Sequence, residues 1–138
     1  MNDTPRLSIH GLTKKFPGVL AVSEADLTLA PGEIHALVGE NGSGKSTLCM
    51  TLAGVYQRDA GEIQIDGKRV SPTSPRQAQL LGVSMMYQES NLVPELTVSA
   101  NIALGRESFV LSRRQTEVRV REILDRLDFH LDPSVKAS

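Results

Sequence analysis

Ile34-His35-Ala36-Leu37-Val38, running straight into Gly39-Glu40-Asn41-Gly42-Ser43-Gly44-Lys45-Ser46-Thr47, is the stretch that decides the fold. The first five residues are mostly apolar and are closed by a glycine, which reads as a buried strand. Residues 39–46 then fit G-x-x-x-x-G-K-[ST] in full. Glycines let the backbone curl until successive N–H groups point inward at phosphate oxygens. Residues 45–53 have helix composition and Gly54 supplies a stop, so the amides and positive dipole end of a helix join the same loop. In such a loop Lys45 reaches the β- and γ-phosphates, the Ser46 hydroxyl ligates Mg²⁺ and Thr47 donates one more hydrogen bond. Strand, complete phosphate loop and helix in immediate succession imply binding of Mg-nucleotide, ATP before others. A Gly-rich turn that binds nothing is the competing reading.

Outward from the loop, Leu7 and Ile9 alternate with polar residues, as do Leu27 and Leu29 before the turn signal Pro31-Gly32. Residues 62–66 alternate through Ile63 and Ile65, and Asp66-Gly67 predicts a hairpin into Lys68-Arg69-Val70. Ser74-Pro75 starts a helix that Gly82 stops, and residues 83–87 are a further strand candidate. Thr97 caps a short helix ended by Gly105. Ser112 and Gln115 match a capping box, with Val120, Ile123, Leu124 and Leu127 as one apolar stripe, and Asp132-Pro133 is expected to end that helix. No internal repeat or low-complexity tract interrupts this order.

Bulk properties narrow the function classes. A chain of 138 residues fits one domain or two small joined subdomains, and 40% hydrophobic with 22% charged residues is ordinary for a soluble protein. Lys plus Arg total 15 against 16 Asp plus Glu, which argues against electrostatic binding to nucleic acid or anionic membrane. Cys49 is the only cysteine, so an intrachain disulfide is impossible, as suits a reducing compartment. Residues 1–6 are polar, unlike a signal peptide, and no apolar run approaches the roughly 20 residues of a spanning helix. A cytoplasmic chain that meets a membrane only through a partner is expected.

Around the phosphate loop the text resembles the ATP-binding cassette of ABC transporters, specifically the subunits of sugar importers of the ribose, galactose and xylose type. The resemblance covers residues 7–133 and rests on Leu12-Thr13-Lys14-Lys15-Phe16-Pro17-Gly18-Val19, on residues 32–42, and on Leu52-Ala53-Gly54-Val55-Tyr56-Gln57. It continues through Gly61-Glu62-Ile63, Tyr87-Gln88-Glu89, residues 91–98 and residues 101–107. Departures are Ala100, where the family often has an acidic residue, and Tyr87, where the subclass often has His.

The resemblance implies an α/β chain of the P-loop nucleoside-triphosphate hydrolase fold: a small antiparallel β subdomain, a P-loop core with an incomplete parallel sheet, and the start of a helical subdomain. The boundaries expected are about residues 6–93 for the first two and about 94–133 for the Q-loop and helical part. It implies that Phe16 stacks on adenine, although packing within the β subdomain would also keep an aromatic there. It implies that Gln88 is the Q-loop glutamine, which ligates Mg²⁺ together with Ser46 and senses the γ-phosphate. The nucleotide-binding set is then Phe16, Gly39, Glu40, Asn41, Gly42, Ser43, Gly44, Lys45, Ser46, Thr47 and Gln88. Partners implied are membrane subunits and a second cassette at the inner face of the cell membrane.

Hydrolysis in this family also needs an apolar run ending in Asp-Glu, and Ile123-Leu124-Asp125 lies in a charged amphipathic pattern followed by Arg126. Leu111-Ser112-Arg113-Arg114-Gln115 mimics the Leu-Ser-Gly-Gly-Gln signature, but two Arg side chains stand where bare backbone must approach phosphate. Ser112 therefore reads as a helix cap. His10, His35 and His130 are out of order for the switch histidine, and Cys49 and Met50 read as packing. The expectation is the N-terminal part of one cassette, able to hold ATP and unable to cleave it unaided. The alternatives are a nucleotide-binding or subunit-interaction module without turnover, and a different P-loop enzyme such as a kinase.

Overall fold

A computed structural model describes residues 4–87, 92–105 and 112–137. Two compact units divide the chain, Met1–Met86 and Tyr87–Ser138.

The first unit is organised by a four-stranded sheet. Strands β1 (Leu7–Phe16), β2 (Val19–Leu29), β3 (Ala60–Ile65) and β4 (Lys68–Val70) lie in the order β2-β1-β3-β4, and every pairing is antiparallel. Ile65 pairs with Lys68 across Asp66-Gly67, whose φ values of 49° and 73° are those of a tight primed turn. A register shift between Ile9 and Leu12 lets both residues face inward, where strict alternation would have turned Leu12 outward.

Helix α1 (Lys45–Leu52) lays Leu48 into a core with Ile9, Leu12, Val22 and Ile63, and Leu7, Leu27, Leu52 and Val70 pack around it. Ile9 and Leu12 are fully buried. Helix α2 (Pro75–Leu80) starts on Ser74, whose hydroxyl accepts the Gln77 N–H, and buries Ala78.

Two runs expected as strands are not strands. Residues 34–38 and 83–87 carry no regular structure; Ile34 is 98% exposed, Val38 88% and Met86 95%. A fully buried strand needs a hydrogen-bonded neighbour on each edge and cover on both faces. Among the described residues neither run has such a neighbour, so the expected incomplete parallel sheet is absent and the sheet is purely antiparallel.

The second unit contains α3 (Val98–Ala103) and α4 (Arg113–Arg126), which pack together and bury Ser99, Val120 and Leu124. Thr97 caps α3 by accepting the Ala100 N–H, and Asn101 ties the preceding loop to it by accepting the Val93 N–H at 2.8 Å and donating to the Val93 carbonyl at 2.9 Å. Helix α4 opens on the expected Ser112/Gln115 capping box but ends at Arg126, ahead of Asp132-Pro133. Asp128 takes a φ of 57°, the Phe129 N–H bonds the Leu124 carbonyl at 2.9 Å and the Asp128 N–H bonds that of Asp125 at 3.1 Å. This reversed closure satisfies the last carbonyls and stops the helix before proline is reached. Among the described residues no helix is long and apolar enough to cross a membrane.

Candidate functional site

The loop 39–47 joins the irregular run 33–38 to α1. Its shape is held from inside: Lys45 Nζ donates to the carbonyl oxygens of Gly39 (2.8 Å) and Glu40 (2.7 Å) and to Ser43 Oγ (3.3 Å), and the Ser43 N–H bonds the Glu40 carbonyl at 3.2 Å. Asn41, Gly42, Ser43 and Ser46 are exposed, and Thr47 is half-buried.

Gly44 fixes the loop to the sheet. Its φ is +90°, and a Cβ there would lie 2.2 Å from the Ala21 carbonyl oxygen and 3.2 Å from Val22 Cγ2. No side chain fits between the loop and β2, which is a reason for glycine independent of any ligand.

Helix α1 begins at this point without a side-chain cap and without an acidic residue in its first turn. Its first internal bond runs from the Leu48 N–H to the Gly44 carbonyl at 2.8 Å. The amides of Lys45, Ser46 and Thr47 therefore stand at a positive helix end with no carbonyl four residues back in the helix. One ammonium, three hydroxyls and a set of forward-facing amides make a donor group whose natural complement is a polyanion.

Phe16 closes β1 at the hairpin, opposite Val19. It is half-buried, and its ring meets Tyr56 nearly at right angles (80°) with centroids 5.1 Å apart. Lys14 Nζ lies over the Phe16 ring, 5.2 Å from its centre, and also pairs with Asp59 at 3.2 Å. The structure thus gives Phe16 a defined packing environment. Because Ala21 and Val22 of the same hairpin touch Gly44, the aromatic and the loop 39–47 are attached to one hairpin. Gln88, the other residue singled out for Mg²⁺, lies outside the described residues.

Sequence reading did not single out Asp59 and named Tyr56 only within a longer match. Asp59 accepts the Lys15 N–H at 2.6 Å as well as Lys14, and its own N–H bonds the Thr13 carbonyl at 2.9 Å. The Lys15 N–H, then Lys14, hold its carboxyl below the usual aspartate range. Glu33, before the loop, is likewise lowered, first by the Ala30 N–H and then by His35. No spacing in the sequence reports that residues 56–59 return to residues 13–16.

Residues 22–137 match the ABC transporter family profile. The chain belongs to the ABC transporter family. Over 137 residues it is 48% identical to the ribose import ATP-binding protein RbsA 1 of Rubrobacter xylanophilus, a match covering 97% of this chain and 28% of that protein. It is 53% identical over 103 residues to a putative ribose/galactose/methyl galactoside import ATP-binding protein of Burkholderia cenocepacia, covering 75% of this chain and 20% of that one. The chain thus spans about a quarter of the length of the curated relatives it matches. Among solved structures, a nucleotide-free ATP-binding cassette from an ABC transporter superposes with a TM-score of 0.79 at 22% identity, over 96% of this chain and 58% of the cassette. This likeness establishes the fold as that of P-loop nucleoside-triphosphate cassettes, here a partial α/β chain with a small antiparallel sheet.

Within this ABC chain Ser112 of the Leu-Ser-Arg-Arg-Gln text is the N-cap of α4. The Ser112 Oγ accepts the Gln115 N–H at 3.4 Å and the Gln115 amide oxygen accepts the Ser112 N–H at 2.8 Å, which is a helix cap with both groups engaged.

Proposed function

We propose that the loop 39–47 binds the phosphates of Mg-ATP and that the chain serves as the ATP-binding part of the ATPase subunit of an ABC-type sugar importer. The observation that carries the reading is the convergence of Lys45 Nζ, the uncapped start of α1 and the cradle at Gly44 on one loop. Lys45 now donates to oxygens of its own loop, and phosphate oxygens would offer it charged acceptors in their place. Gly39, Glu40, Asn41, Gly42, Ser43 and Gly44 would supply backbone donors, and Thr47 a further one. Ser46 would hold Mg²⁺, whose chemistry is to neutralise charge on the phosphates, and Gln88 is proposed as its second protein ligand. Phe16 would receive the adenine ring.

The sugar class comes from the relatives' names, and membrane subunits with a second cassette at the inner membrane face would be the working partners. Residues from about 94 onward would begin the helical part that faces those subunits. The sequence holds no apolar run ending in Asp-Glu, so these residues bind and orient the nucleotide, and cleavage needs groups this sequence does not supply. The test is the thermal midpoint with and without Mg-ATP. Saturation to 100-fold above Kd should stabilise the chain by about 2.7 kcal/mol, and Lys45→Ala should remove that gain. An equal shift in Lys45→Ala would overturn the assignment.

A further inference from the structure

The phosphate loop and Phe16 are 23 residues apart at their nearest in sequence, yet both are braced by α1 and the turn that follows it. At its front, α1 is seated on β2 through Gly44 and Ala21. At its back, the N–H groups of Val55 and Tyr56 both bond the Met50 carbonyl, at 2.9 and 3.3 Å, so Tyr56 is tethered to the last turn of the helix. From there its ring meets Phe16 edge-on. Three residues later Asp59 grips the strand that carries Phe16: its N–H bonds the Thr13 carbonyl, and its carboxylate accepts the Lys15 N–H and the Lys14 ammonium. The same ammonium lies over the Phe16 ring.

An isolated phenylalanine at a hairpin end rotates among rotamers, and holding it flat for a base has an entropic cost. A perpendicular ring, a cation over the ring and a backbone tied on both sides of Lys14 remove most of that freedom before any ligand arrives. We propose that Tyr56 and Asp59 are positioning residues for Phe16, fixing its ring as the base platform of the nucleotide site. The proposal rests on the nucleotide reading above and adds to it the residues that make the site prefer a nucleotide over a bare polyphosphate. Neither touches the ligand in this account; both act through Phe16.

The experiment is calorimetric titration of the full chain and its variants with Mg-ATP and, separately, with inorganic tripolyphosphate, which has the phosphates and no base. The unsubstituted chain should bind ATP more tightly than tripolyphosphate. Tyr56→Leu and Asp59→Ala should each weaken ATP by about three- to tenfold while changing tripolyphosphate by less than about twofold. Tyr56→Phe keeps the ring edge and should restore the preference. Asp59→Asn keeps an acceptor for the Lys15 N–H and should fall between the two. Equal weakening of both ligands in Tyr56→Leu and Asp59→Ala would make the role merely structural and overturn the proposal, as would a full ATP preference in both. An unsubstituted chain that binds tripolyphosphate but gains nothing from the base removes the platform and this proposal while leaving the phosphate loop intact. A chain that binds neither ligand removes the nucleotide reading itself.

Discussion

Two kinds of apolar sequence behave oppositely in this molecule. The runs around Ile9, Leu12 and Ile63 become a sheet in which these three residues are 0–2% exposed, whereas the equally apolar run 34–38 carries Ile34 at 98% and Val38 at 88%. Composition does not separate them. Partner supply does: β1 and β2 are joined by a short turn, β3 and β4 by two residues, and β1 receives β3 along its other edge. Residues 34–38 lead into a helix, and a strand in that setting is completed by parallel neighbours that arrive through crossovers. The two hairpins close locally and β3 reaches β1 by way of α1, whereas no neighbour for residues 34–38 lies among the described residues.

The largest effect that separates the two regions is a core truncation. Ile9→Ala should cost about 2–5 kcal/mol in urea unfolding, while Ile34→Ala should stay within about 0.5 kcal/mol. Ile34→Lys sharpens the contrast, since a charge is tolerated on a side chain that lies in water. If Ile34→Lys destabilised as much as Ile9→Ala, residues 34–38 would be paired in solution and the comparison would collapse.

A second break-point is the junction where the unpaired run meets the sheet. Gly44→Ala places a Cβ 2.2 Å from the Ala21 carbonyl at φ +90°, whereas a Cβ on Gly42, at φ +87°, meets nothing within 4 Å. Gly42→Ala should cost about 1–2 kcal/mol from the left-handed backbone alone. Gly44→Ala should cost roughly 1–3 kcal/mol more from the clash, measured by the same unfolding curves. Equal losses would mean that the loop is not seated on β2.

These differences explain what the sequence disclosed. The Asp66-Gly67 hairpin, the Ser74, Thr97 and Ser112 caps and the start of α1 were all legible, because each depends on residues within one turn of one another. The turn of residues 39–44 into α1 was legible for the same reason. Residues 34–38 and 83–87 were misread because an apolar run announces a wish for burial and says nothing of whether partners exist. The end of α4 was misplaced because Asp128 entered the left-handed region and closed the helix before Pro133, a choice that aspartate permits but does not advertise. Tyr56 and Asp59 were invisible as neighbours of Phe16, since their meeting depends on the path of α1 across the sheet.

A milder test of local closure lies in the second unit. Ser112→Ala removes the oxygen that accepts the Gln115 N–H and should cost about 1 kcal/mol. Helix content by far-UV circular dichroism should fall at the first turn, and Ser112→Asp should recover it, because aspartate caps equally well and adds a charge favoured at a helix start. A Ser112→Asp variant as unstable as Ser112→Ala would mean that Ser112 has a task other than capping.

The smallest effect concerns pH, and it probes both the hairpin and the run beside it. Asp59 is held below its ordinary value of 3.8, first by the Lys15 N–H and then by Lys14. A carboxyl with a depressed folded pKa binds its proton more readily in the unfolded chain. Its stabilising contribution is therefore complete above about pH 4 and disappears as pH falls below 3.8 through the folded value. Asp59→Asn keeps an acceptor and has no proton to bind, so its unfolding midpoint should vary less steeply than that of the unsubstituted chain between about pH 4 and pH 2. The carboxyl is exposed, so the gap between the two curves should be small, and salt should narrow it further by screening the Lys14 pair. Glu33 is lowered as well, first by the Ala30 N–H and then by His35, which lies within residues 34–38 itself. By the same linkage Glu33→Gln should also flatten the acid limb of the profile, in the window below the ordinary value of 4.5 for Glu33. A profile left unchanged by Glu33→Gln would mean that the Ala30 and His35 contacts do not form in solution, and that the run 34–38 is untied at its start as well as exposed along its length.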